Sequence, residues 1–127
     1  MHIVAALFIE NIDMREAVGP SARIDLTGVH FSMAAPSPFP VTVSPHLVVL
    51  VYCPPDTNGF GALEVSFERD GEQVARNISP VQVEPGKFTR QLVQAQLDFA
   101  ESGTIVARCS LDGQPPVDVP FTLLPSV

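Results

Sequence analysis

The chain has 127 residues, enough for one domain core and too few for two. Apolar residues make up 46% and charged residues 17%, which excludes wholesale disorder. Seven basic against fourteen acidic residues leave a formal charge of −7, which argues against nucleic acid and against an anionic membrane surface as partners.

Thirteen prolines and eight glycines interrupt the chain too often for long helices. Residues 2–9 (HIVAALFI) form a nearly continuous apolar run, as expected of a strand buried on both faces. This opening has no basic leader region, is too short to span a membrane, and is followed by no small-x-small cleavage site. The expectation is a cytoplasmic protein. Asn11 to Pro20 is polar and ends in Gly19-Pro20, which reads as a turn or one short helical turn. Residues 22–31 (ARIDLTGVHF) alternate, with Ile24 and Leu26 on one face and Arg23, Asp25 and Thr27 on the other. The parity flips after Gly28, as at a β-bulge, which turns Val29 and Phe31 inward and His30 outward.

Residues 32–40 (SMAAPSPFP) carry three prolines and suit neither a central strand nor a helix. The run from Leu47 to Cys53 is the most β-prone segment and reads as a central strand, since exposed it would aggregate. A loop follows over 54–59. In 62–69, Leu63, Val65 and Phe67 point inward, and Asp70-Gly71 is the preferred type I′ hairpin pair. A plain two-residue turn would pair Phe67 with Val74 and Leu63 with Ile78. It would also set Arg76 opposite Val65, so either Arg76 runs along the sheet edge or the ladder breaks there. Pro80, Pro85 and Gly86 bound another loop. Residues 88–99 place Val93, Ala95, Leu97 and Phe99 on one face, and strict alternation favours a strand over a helix.

In the final hairpin, Ile105, Ala107, Cys109 and Leu111 share one face, as do Val117, Val119, Phe121 and Leu123. Closing a two-residue turn on Asp112-Gly113 would set Ala107 against Asp118, a buried charge. A five-residue loop instead pairs Leu111 with Val117, Cys109 with Val119, Ala107 with Phe121 and Ile105 with Leu123. The whole pattern gives about seven to eight short strands in one antiparallel β-sandwich over residues 1–127.

The order of these features resembles a family of small uncharacterised bacterial proteins, a domain of unknown function with an immunoglobulin-like sandwich. The features are the apolar opening strand, ARIDLTGVHF, the proline-flanked FPVTVSPHLVVLVY, the LEVSFERDGEQV hairpin and the closing GTIVARCSLDGQPPVDVPFTL. The resemblance implies a fold and no activity. A true immunoglobulin domain is not expected: there is no Trp, and Ala107 stands where its tyrosine corner would be.

No nucleophile elbow, P-loop, dinucleotide fingerprint or zincin motif is present. None of His2, His30 and His46 has a second His or Cys at metal-ligand spacing, so neither a metal nor a cofactor is expected. Cys53 and Cys109 are expected to be free thiols, Cys109 packed in the core and Cys53 partly exposed at a strand end. Glu64, Glu68, Asp70 and Glu72 read as a solvated acidic face. The expected function is therefore a non-catalytic protein-interaction or assembly module. The candidate interaction residues are Met33, Phe39 and Phe60, in or beside the proline-rich loops. The alternatives are a subunit of a larger phage-like or particle assembly, and a small-molecule binder or hydrolase. A mean hydropathy of +0.25 fits either a large monomeric core or apolar surface covered in a homo-oligomer.

Overall fold

A computed structural model describes residues 1–17 and 21–127. The chain is all-β, with twelve strands and no helix among the described residues. β1 (His2–Ile9), β6 (His46–Tyr52) and β9 (Phe88–Gln94) form a three-stranded sheet in the order β1-β6-β9. β4 (Ser32–Ala34), β7 (Phe60–Arg69), β8 (Glu72–Gln82), β11 (Gly103–Leu111) and β12 (Val117–Leu124) form a five-stranded sheet, in the order β4-β12-β11-β7-β8. β2 (Asn11–Ala17) pairs with β3 (Ser21–Thr27), and β5 (Val41–Val43) pairs with β10 (Leu97–Phe99). Every pairing is antiparallel except β4 on β12. The count exceeds the expected seven to eight because 41–53 and 88–99 each divide into two strands and because Asn11–Ala17 and Ser32–Ala34 are strands as well.

The two larger sheets share one apolar core. Phe8, Leu47, Val49, Val51 and Val93 come from one side, and Leu63, Val65, Phe67, Ile105, Ala107, Cys109, Phe121 and Leu123 from the other. Phe8 meets Phe121 across the layers, with ring centroids 4.9 Å apart. The central position expected for 47–53 holds, since β6 has a partner on each side. The inward faces expected for 62–69, 88–99 and the closing hairpin hold as well.

Several local expectations are corrected. β1 is not buried on both faces: it is an edge strand, and Val4 is 59% exposed at a register shift. Asn11–Ala17 is a strand and not a turn or helical turn, because it pairs residue for residue with β3. The expected turn at Gly19-Pro20 lies outside the described residues. At Gly28 (φ 67°) the parity resolves the other way: His30 turns inward against Phe121, while Val29 and Phe31 are exposed. Its backbone explains this, since the His30 N–H donates to the Phe8 carbonyl and so joins the rim of β1. Pro80 lies within β8 and does not bound a loop. β8 is an edge strand, where a missing N–H costs no ladder bond. Residues 88–99 are strand, but they change partner after Gln94, from β6 to β5.

Both Asp-Gly turns are type I′, with φ of 51° and 81° at Asp70-Gly71 and 50° and 72° at Asp112-Gly113. Each is followed by one extra residue in the returning strand. In the first hairpin Glu68 faces Gln73 but Phe67 faces Ala75, so Val74 is the bulged residue. The ladder therefore breaks as the Arg76 problem requires. Arg76 moves to the outer face opposite Ser66 and reaches Glu64 at 3.1 Å. In the second hairpin the Gln114 N–H donates to the Leu111 carbonyl, yet Cys109 faces Val117. The expected five-residue register is thus corrected: Ala107 faces Val119, Ile105 faces Phe121 and Arg108 faces Asp118. Inward parity survives, and only Val117 is left at the surface, 37% exposed.

Gly59 marks the tightest backbone approach. A Cβ there would sit 1.6 Å from the Val83 carbonyl oxygen, and the Val83 N–H donates to the Gly59 carbonyl. Gly59→Ala is expected to cost about 3 kcal/mol of stability through this overpacking. The check is a lower urea midpoint at unchanged m-value; an unchanged midpoint would contradict the packing.

Candidate functional site

Exposed apolar side chains are spread over the surface, Phe31, Phe60 and Ile78 among them, and two features group apolar residues on one strand face. The first is the β2–β3 hairpin. It leaves the body as a direct continuation of β1, with only Glu10 between the strands, and the Glu10 N–H donates to the carbonyls of Thr27 and Gly28. Among the described residues its two strands contact each other far more than any other strand, and Ile12, Ile24 and Leu26 are half-buried. The register sets Ile12 opposite Leu26 and Met14 opposite Ile24, so these four side chains share one face. Asp13, Arg15, Arg23 and Asp25 share the other face, where Arg15 pairs diagonally with Asp25. The hairpin is an amphipathic arm, and its Met14 is 48% exposed.

The second feature is the outer face of the three-stranded sheet. By alternation from the core residues, Leu7, Ile9, Val48, Leu50, Tyr52, Phe88 and Leu92 point away from the core. Phe88 and Leu92 are 50% and 47% exposed. Val48 is fully buried although it lies on this face, because its neighbours Leu7 and Leu92 flank it in register. The ionisable groups of the face are His2, His46 and Arg90, and no carboxylate lies among its register positions. The outer face of the five-stranded sheet is the opposite: Glu64 pairs with Arg76, and Arg108 bridges Asp118 at 3.2 Å and Glu68 at 3.8 Å. The expected acidic face is therefore corrected for Glu64 and Glu68, which sit in a lattice of alternating charge.

The candidate interaction residues do not converge. Met33 and Phe39 are half-buried and pack against the core. Phe60 is 66% exposed, but it starts β7 beside Gln82, at the far end of the sheet from Met33, which pairs with Leu123. Met33 lines an open cleft of about 390 Å³ together with Ile9, Glu10, His30, Thr42 and His46. His30 is half-buried there, its ring edge-on to Phe121 at 5.5 Å, and its Nε2 is buried without a hydrogen-bond partner. His2 is exposed and meets Tyr52 edge-on.

Both cysteines are free and buried. The expectation of partial exposure for Cys53 is corrected. Its backbone extends the β6 ladder by exchanging bonds with Lys87 and Gly86, and the turn after it folds over the thiol, which reaches the Thr57 carbonyl at 3.6 Å. Burial pushes the Cys109 thiol up to about 12, with the nearby Asp118 carboxylate adding to the shift. Among the described residues no three His, Cys, Asp or Glu side chains are grouped to hold a metal ion, and no helix is long and apolar enough to cross a membrane.

The arm and the outer sheet face were not singled out by sequence reasoning. The available signal was the alternation of Ile12 and Met14 with Asp13 and Arg15, matched by Ile24 and Leu26 against Arg23 and Asp25. The sequence matches no protein-family model and no curated protein.

The raised Cys109 pKa gives a signed expectation. The folded state keeps the proton above pH 9.0, the ordinary thiol value, while the unfolded chain releases it. Stability carried by the protonated thiol is full below about pH 9 and is lost as pH rises towards 12. Denaturation in this window should show the wild type losing its advantage over Cys109→Ala. A constant difference between the two from pH 8 to 11 would contradict the assignment.

Proposed function

We propose that the protein is a non-catalytic protein-interaction or assembly module, carried on an immunoglobulin-like β-sandwich and working in the cytoplasm. The family of small uncharacterised bacterial proteins whose strand order it resembles fits the same reading. The arm carries it. A two-stranded ribbon alone is marginal in water, so an arm with an apolar face and no extensive strand contact to the body among the described residues gains stability from whatever covers it. The exposed apolar strip of the three-stranded sheet supports the same conclusion, since such patches mark contacts with other proteins. The burial of both thiols supports the absence of cysteine-based catalysis. Of the apolar candidates at the loops, Phe60 is the one open to a partner, while Met33 and Phe39 pack against the core.

The test is affinity purification of the full-length tagged protein from the cells that encode it, with light scattering of the purified species. The expected result is a stoichiometric protein component, either further copies of this chain or a different chain, that is lost from the variant Met14→Asp with Ile24→Asp. A wild-type protein that elutes as a bare monomer with nothing bound would overturn the reading.

A further inference from the structure

We propose that the open cleft beside Glu10, where β1 passes into β2, receives a lysine or arginine side chain of a protein partner. The inference rests on the protein-interaction reading above and names the chemistry of the partner. The cleft is built from residues far apart in the chain, with Ile9 and Glu10 on one side of the sequence and residues 42–46 on the other.

Burial grades the cleft from its floor to its rim. Ile9 and Val43 are almost wholly buried, 1% and 7% exposed. Met33 and Pro45 are half-buried beside them, so the walls are apolar as well. Glu10, Thr42 and Ser44 are exposed and form the rim. A long basic side chain has matching parts, an apolar stem and a charged head that keeps contact with water. Laid along the cleft, its stem covers the apolar floor and its head meets Glu10.

Charge selects the sign of the guest. Glu10 is the only carboxylate that lines the cleft, and no Lys or Arg lines it. Glu10 takes part in no ion pair among the described residues. The Thr42 hydroxyl donates to the Asp98 carboxylate at 2.6 Å, which sets a second carboxylate next to the rim. Arg69 reaches the main-chain carbonyl of Asp98 and forms no ion pair with that carboxylate. The whole chain carries a formal charge of −7, so its field also favours a basic partner over an acidic one. Openness selects a side chain over a free small molecule. Small-molecule sites bury most of the surface of their ligand. This cleft of about 390 Å³ is open to solvent, so it suits a guest that is anchored by the rest of a larger partner.

The experiment is selection of displayed random heptapeptides on the immobilised full-length protein, followed by NMR mapping of the enriched peptides. The enriched peptides are expected to carry a Lys or Arg and to shift the methyl signals of Ile9, Met33 and Val43. Replacing that basic residue by norleucine keeps an apolar stem and removes the charge, and is expected to weaken binding by about threefold. Glu10→Lys reverses the charge at the rim and is expected to weaken binding by about tenfold. Ser44→Lys, at another exposed position of the same cleft, is expected to act in the same direction and replaces Glu10→Lys should that variant misfold. A selection that enriches nothing, or that enriches peptides without a basic residue, overturns the proposal. So do basic peptides that bind the charge-reversed variant as well as wild type, or whose signals map away from the cleft. Affinity purification keeps the two readings apart. A stoichiometric protein held equally by wild type and by Glu10→Lys leaves the interaction reading standing without this inference.

Discussion

A returning β-strand must bring its apolar positions back to the side of the sheet that faces the core, and in this protein that constraint is met by one inserted residue in each of two hairpins. A type I′ Asp-Gly turn alone would have fixed the register with Arg76 opposite Val65 and Asp118 opposite Ala107, both on the inner face. Moving a guanidinium or carboxylate into a dry core costs several kcal/mol. A bulge leaves one residue without its ladder bonds, a far smaller loss at a hairpin end in contact with water. The bulge at Val74 and the extra proline after Gln114 therefore win. Each shifts the returning strand by one position and turns its charged residue outward.

The charge lattice on the five-stranded sheet follows from those two shifts. Once Arg76 stands opposite Ser66 it can reach Glu64, and once Asp118 stands opposite Arg108 the guanidinium has two carboxylates within 4 Å. Exposed pairs of this kind contribute little stability one by one. Their effect is on the character of the face, which carries charged pairs beside the exposed Ile78. The three-stranded sheet has no such device. Its central strand β6 is apolar at nearly every position, so both of its faces are apolar, and only one of them meets the core. The other is shared between the sheet's own neighbours, which suffice to bury Val48 but leave Phe88 and Leu92 half in water.

Much of this was legible in the residues. Period-two alternation placed Leu63, Val65, Phe67, Ile105, Ala107, Cys109, Phe121 and Leu123 correctly, because a one-residue error would have buried charge. The Asp70-Gly71 turn was legible for the same local reason, whereas the expected five-residue loop hid the tight turn at Asp112-Gly113. Register was not, since a bulge costs little and leaves no mark in composition. A bulge at Gly28 that resets the alternation would point His30 outward; the structure instead ties the His30 backbone to the rim of β1. The sequence NIDMREA hid β2, because Asn, Asp, Arg and Glu are poor strand formers. It becomes a strand through pairing with β3, a partner that short-range pattern does not reveal. Of the loop candidates, Met33 and Phe39 pack against the core, while Phe60, Phe31 and strand residues such as Phe88 and Leu92 supply exposed apolar surface.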